Sequence, residues 1–185
     1  MKKLYLEFIS KRYPKKEVYD LAYHLGERLT NFLGEDIFIL LLDSKILLTS
    51  QISKIGYEGD KTFKLHSASK ALEGFLLKII KGKKLKQDIN DKIGEVFGKK
   101  DNITKQKIKD KKLIARTKTA WDFCRNDIMH FSVNKRSTSL DMYNNHREII
   151  DIMKLLYTDF YGKTNPSEEV RNYISKKIKV KGYKS

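Results

Sequence analysis

Apolar side chains recur at gaps of three and four residues along most of this chain, and this spacing constrains the fold more than any other feature. It predicts amphipathic helices over residues 15–33, 62–81, 88–97 and 137–161, and a further long helix that ends near Ser132. Two prolines and ten glycines among 185 residues favour helices over a turn-rich β fold. The sequence therefore predicts an all-α protein of about six helices.

The sequence allows more than one secondary structure for two N-terminal segments. Residues 4–9 fit a short strand or a helical turn, so a small β element near the N-terminus is one alternative. Residues 37–48 fit one buried helix or two strands joined at Asp43 and Ser44, because periodicity alone does not separate these cases. We favour the helix.

Turn and capping residues predict where the helices begin and end. Gly34 and Gly82 are predicted to end the helices that precede them. Asn165 is a predicted N-cap for the last helix, with Pro166 at its first position and Glu168 at its third. That helix ends in a basic tail over residues 176–185.

The charge of the chain points to a polyanionic partner. Lys and Arg number 39 against 23 Asp and Glu, a net charge of +16. A field of this strength attracts nucleic acid first of all. Abundant lysine with scarce alanine is also typical of an AT-rich genome, so charge alone leaves both explanations open.

The single cysteine and the short apolar runs restrict the class of protein further. Cys124 has no second cysteine to pair with, which excludes an internal disulfide and zinc sites built from several cysteines. The longest apolar run, over residues 37–42, is far shorter than a membrane helix requires. We expect a soluble cytoplasmic protein, one domain over residues 1–185, without membrane contact.

One segment carries side chains suited to phosphodiester chemistry, the run Arg125-Asn126-Asp127-Ile128-Met129-His130. On a helix Asn126 and His130 can touch, whereas Arg125 and His130 lie about 140° apart. Two copies that face each other across a two-fold axis could direct both residue types at one phosphate. Histidine exchanges protons near neutral pH and arginine donates paired hydrogen bonds to phosphate. No metal is needed when the 2′-hydroxyl of RNA is the attacking group.

This run resembles the R-x4-6-H motif of HEPN-domain ribonucleases, with a polar residue directly after the arginine. It is similar to the motif of CRISPR-associated HEPN nucleases and of toxins in toxin–antitoxin systems. The resemblance implies a helical bundle that dimerises with both motifs facing each other and cuts single-stranded RNA without metal or other cofactor. It assigns Arg125 and His130 to the catalytic pair and Asn126 to the polar position. Asp127 is a supporting candidate that pairs with a lysine or tunes His130.

The resemblance also divides the chain. It covers a HEPN-like core over residues 61–163, preceded by an N-terminal helical segment over residues 1–60 that we assign to no family. The segment from Ser69 to Leu76 is similar to RNase LS-type toxins. The additional N-terminal domains of those toxins would not fit in the 60 residues available here.

Basic residues around the motif are candidates for positioning RNA: Lys135, Arg136, Lys118 and Arg116. Seven lysines between Lys99 and Lys112 either follow a phosphate backbone or form a solvated helix face. Trp121 and Cys124 are expected in the core, with an inert thiol. The remaining histidines are expected at the surface or in an interface: His24, His66 and His146.

Three hypotheses follow. The first is a metal-independent endoribonuclease, acting as a toxin or anti-phage effector and restrained by an antitoxin or regulatory partner protein. The second is a non-catalytic HEPN-like module that dimerises and binds RNA. The third, a DNA-binding regulator, has little support because no helix-turn-helix stands out.

Overall fold

The computed structural model describes residues 3–49, 62–83, 110–124 and 139–182, and helices dominate these ranges. A 3-10 turn, Thr62–Leu65, leads into the fourth of seven helices. The helices are α1 Lys3–Ser10, α2 Lys15–Leu25, α3 Glu27–Thr49, α4 His66–Lys83, α5 Lys111–Phe123, α6 Ser139–Tyr161 and α7 Glu168–Gly182. No strand occurs in the described ranges, which confirms the all-α prediction for that part of the chain. The helix predicted over residues 88–97 lies outside it.

Both N-terminal segments for which the sequence allowed a strand or a helix are helical. Residues 4–9 lie in α1, so the alternative of a strand there is wrong. Residues 37–48 lie in α3, as favoured from the sequence. The pairs Ile37–Phe38 and Leu41–Leu42 are buried one turn apart, so one helix face accounts for the long apolar run.

The single helix predicted over residues 15–33 is wrong, because the chain breaks at Gly26. Gly26 has a φ of 77°, and this left-handed backbone conformation ends α2. The N–H of the next residue, Glu27, donates to the carbonyl of Asn165 at 2.7 Å. The hydroxyl of Thr164 accepts from the N–H of Leu29 and donates to the carbonyl of Leu25, each at 3.3 Å. Periodicity hides this break because Leu25 and Leu29 are both fully buried.

Of the two predicted glycine boundaries, one is confirmed and one differs. Gly34 has non-helical backbone angles, φ 74° and ψ 176°, so the helical stretch before it ends there and α3 consists of two helices joined across this kink. Gly82 lies inside α4, which runs on to Lys83, and it does not adopt the positive φ that often ends a helix.

The predicted N-cap of the last helix is displaced by two residues. The hydroxyl of Ser167 accepts from the N–H of Val170 at 3.4 Å, and the Ser167 carbonyl accepts from the N–H of Arg171 at 3.0 Å. Ser167 is therefore the N-cap instead of Asn165, and α7 begins at Glu168. Serine and asparagine are both good N-caps, so their order in the sequence does not choose between them.

The core lies where α3 packs against α2, α4 and α6, while α7 packs on α2. Its largest fully buried side chains include Leu21, Leu29, Leu33, Phe38, Leu41, Leu72 and Phe75. Helix α5 packs against α6 and also contacts α4. Among the helices described, none is long and apolar enough to cross a membrane.

Candidate functional site

Helix α5 leads directly into the candidate catalytic run. Asp110 caps its N-terminus, because the carboxylate accepts from the N–H of Lys112 at 2.8 Å. Its buried face is a stripe of mostly small side chains, Leu113, Thr117, Ala120 and Cys124. The spacing of these residues is that of one helix face, and Lys112 and Arg116 are exposed on the rest of the helix.

Cys124 fixes the chain at the residue before Arg125. Its backbone keeps helical angles, φ −57° and ψ −41°, and its N–H donates to the carbonyls of Ala120 and Trp121. The thiol is only 2% exposed. Burial raises its pKa to about 11, and a hydrogen bond with Ser69 of α4 lowers it by a smaller amount. The thiol is therefore protonated at neutral pH, as expected for a buried, inert cysteine.

The predicted catalytic residues themselves lie outside the described residues. This applies to Arg125, Asn126, Asp127 and His130, to Lys135 and Arg136, and to the lysines between Lys99 and Lys109. Their roles stay predictions. Of the expected core residues next to them, Cys124 is buried and Trp121 is half-buried against the core.

Arg116, predicted to bind RNA, is held by a carboxylate of the next helix. Its Nε and Nη2 atoms donate to the two carboxylate oxygens of Glu148 on α6, each at 2.8 Å. These hydrogen bonds raise the pKa of the Arg116 guanidinium. Such a two-pronged pair is also the geometry in which arginine binds phosphate, so phosphate and Glu148 compete for the same donors.

Lys118, the second described cation of this set, is also paired. Its ammonium donates to the carboxylate of Asp122 one turn later on α5, at 2.5 Å. Both groups are more than a third exposed, so water competes with this pair. RNA binding by Lys118 remains a prediction, and it would require exchange of a carboxylate for a phosphate.

A groove of about 330 Å³ runs between α5 and α6, and Arg116 lines it. Its lining residues are Ala115, Arg116, Thr119, Ala120, Phe123, Asn145, Glu148 and Ile149. The small residues of α5 create this space, and Phe123 brings it to within two residues of Arg125. Sequence reasoning missed Asn145 and Glu148, because nothing in one sequence pairs a residue of α6 with Arg116.

His146 is a core residue, so its predicted place at the surface or in an interface is wrong. It is 3% exposed, and its Nε2 lies 3.2 Å from the carbonyl oxygen of Leu41, to which it donates. Burial lowers its pKa to about 4, with a smaller opposing effect of that hydrogen bond. His146 is therefore neutral near pH 7 and cannot act as the acid and base of the site. The face of α6 that carries it packs against α3.

His24 is exposed and His66 half-buried. Partial burial and the nearby Lys45 lower the pKa of His24. Neither residue belongs to the groove between α5 and α6.

A second cleft, of about 340 Å³, is acidic. Its lining includes Glu27, Glu168 and Glu169, together with Thr30 and Asn31. Glu169 accepts a hydrogen bond from the Tyr19 hydroxyl at 2.6 Å, which adds to the effect of burial in raising the tyrosine pKa. Carboxylates repel phosphate, so this cleft does not suit RNA.

Within the described ranges, no group of three or more His, Cys, Asp or Glu side chains could hold a metal ion. Comparison with known proteins finds no match to a family model, to a curated protein or to a solved structure. Function is therefore inferred from the residues of this chain.

Proposed function

We propose that this protein is a metal-independent endoribonuclease that cuts single-stranded RNA. The observation that carries the proposal is the run from Arg125 to His130, which follows Cys124 at the end of α5. The all-helical described structure and the net charge of +16 support it, because the motif belongs to helical, RNA-cutting proteins.

Each motif residue has one role in this proposal. His130 takes the proton from the RNA 2′-hydroxyl and returns a proton to the leaving 5′-oxygen. Histidine suits both steps because this residue type exchanges protons near neutral pH. The 2′-oxygen forms a bond to phosphorus while the bond to the 5′-oxygen breaks. The products are a 2′,3′-cyclic phosphate and a 5′-hydroxyl. Arg125 stabilises the charge on the phosphoryl oxygens, and Asn126 orients the histidine or the sugar.

The proposal includes a setting for the activity. Two subunits would contribute their motifs to facing sites, because on one helix Arg125 and His130 would lie about 140° apart and would not easily be directed at one phosphate. Unrestrained RNA cutting is toxic to a cell, so the protein would act as a toxin or anti-phage effector in the cytoplasm. An antitoxin or regulatory partner protein would hold it inactive.

A cleavage assay with matched variants tests the proposal. Single-stranded RNA is incubated with the full chain, with His130→Ala and with Arg125→Ala, in excess EDTA. The controls are His24→Ala and Arg171→Ala, since both residues are exposed, on α2 and α7, and neither belongs to the motif sequence. We expect the two motif variants to lose at least about a hundredfold in rate, as for loss of a general acid–base group, and the controls to match the parent.

The same assay distinguishes the alternatives. A parent that binds RNA in a salt-sensitive manner without producing new ends would be a non-catalytic RNA-binding module. Motif variants that cut as fast as the parent would show that the assigned residues are wrong. Competition between equal lengths of RNA and duplex DNA separates both cases from a DNA-binding regulator.

A further inference from the structure

The outward face of α6 exposes more apolar surface than a solvated helix needs. Leu140 is 66% exposed, Tyr143 45% and Leu155 43%. Seven large hydrophobic residues of the described ranges are 37% exposed or more, and three of them lie on α6. Concentration of exposed apolar side chains on one element is typical of an interaction surface.

These residues form a continuous stripe with two charges at its centre. The set Leu140, Tyr143, Arg147, Asp151 and Leu155 follows gaps of three and four, within an arc of about 120°. Arg147 and Asp151 are exposed, and neither forms an ion pair with another described residue. We call this set the α6 stripe.

The order of residues makes the α6 stripe complementary to itself. When two copies of α6 run antiparallel about an axis midway between Arg147 and Asp151, Arg147 faces the partner's Asp151 and the reverse contact forms by symmetry. In the same register Tyr143 faces the partner's Leu155. The parallel arrangement would instead place Arg147 against the partner's Arg147, which is repulsive.

We propose that the α6 stripe binds the α6 stripe of a second copy of this chain in this antiparallel register. The proposal depends on the exposure and charge order of α6 alone, and it holds whether or not the protein cuts RNA. One pair of helices buries less surface than a standard protein interface, so the dimer is expected to depend on protein concentration. Salt near the physiological level is needed, because two subunits of +16 repel each other at low ionic strength.

Charge exchange tests the pairing without RNA. Sedimentation velocity over a wide concentration range measures dimer dissociation for the parent, Arg147→Asp, Asp151→Arg and the double variant. Each single variant places like charges opposite each other, and we expect at least tenfold weaker association. The double variant exchanges both partners and should recover the parent affinity. Arg171→Asp, a reversal at an exposed arginine of α7, should leave association unchanged.

A cysteine pair tests the register. Tyr143→Cys combined with Leu155→Cys should give a disulfide-linked dimer under mild oxidation, while each single variant should not, since neither position meets its own copy. Far-UV circular dichroism checks that every variant remains helical. A monomeric parent, single reversals without effect, a double variant that does not recover, or efficient linkage of Tyr143→Cys alone would each overturn the proposal.

Discussion

Two regions of the molecule bury very different side chains. One is the core formed by α2, α3 and α4, and the other is the neighbouring helix α5. The buried face of α4 carries Leu72, Phe75, Leu76 and Ile79. The buried face of α5 has one large residue, Leu113, followed by Thr117, Ala120 and Cys124. Because buried apolar area sets most of the stabilisation, the first region holds the fold together. The helix that leads to the candidate motif is more weakly anchored.

Truncation of one large side chain in each region tests this comparison most strongly. Phe75→Ala should lower the free energy of unfolding by about 4 kcal/mol, since it removes a fully buried ring that packs on Phe32. Leu113→Ala should cost about 2 kcal/mol, near the lower end for such changes, because a small-residue face can close around the gap. Chemical denaturation measures both.

Leu140→Ala is the control for these truncations. This leucine is 66% exposed, so the change should stay within about 0.5 kcal/mol at protein concentrations where the chain is monomeric. Equal losses for Phe75→Ala and Leu113→Ala would contradict the difference between the two regions.

Acid should weaken the core through His146. Its pKa is lowered to about 4 in the folded protein, so the unfolded chain binds the proton more tightly. The contribution of neutral His146 to the free energy of unfolding is fully present above the ordinary histidine pKa. It is lost as the pH falls towards 4, and the free energy of unfolding then decreases by about 3 kcal/mol in all. Denaturation from neutral pH to about 4.5, with His146→Gln beside the parent, measures it. The variant should show a shallower pH dependence, and parallel curves would argue against a titrating core histidine.

The junction of α2 and α3 should not tolerate a side chain. A Cβ on Gly26 would collide with the Thr164 hydroxyl and lie 3.0 Å from the Thr164 carbonyl carbon, at a φ of 77°. Gly162 has a similar φ of 88°, but nothing lies within 4 Å of a Cβ built there. Gly162→Ala should therefore cost about 1 kcal/mol for the backbone alone, and Gly26→Ala about 1 to 2 kcal/mol more. Thermal unfolding compares the two, and equal losses would mean that Thr164 yields freely.

A small effect on stability is expected at the exposed ion pair between α5 and α6. Glu148→Gln removes the carboxylate that holds Arg116, and an exposed pair of this kind contributes about 1 kcal/mol or less. The freed guanidinium should bind RNA more tightly, with the salt dependence steeper by about 0.7 for one added phosphate contact. Fluorescence anisotropy over a salt series measures this, and Glu73→Gln, at an exposed carboxylate of α4, is the control. Unchanged binding would remove Arg116 from the set of RNA contacts.

Helical periodicity was sufficient to find α4, α6 and the helix over residues 37–48, because their buried faces are long and regular. It did not find the break at Gly26, since Leu25 and Leu29 remain in phase across it. His146 was missed for a related reason: a histidine among apolar residues becomes a core residue only when a carbonyl such as that of Leu41 lies within reach. The partner of Arg116 comes from another helix, and one sequence does not show which helices pack together.

The most direct test of the proposed function is the chemistry of the RNA ends. Single-stranded RNA is incubated with the full chain in excess EDTA, beside an otherwise identical RNA that carries one deoxyribose at a mapped cleavage position, and the product ends are analysed. Attack by the 2′-hydroxyl gives 2′,3′-cyclic phosphate and 5′-hydroxyl ends, and we expect no cutting at the deoxyribose. Cleavage that requires a divalent metal, or that proceeds at the deoxyribose, would contradict the assignment of Arg125 and His130.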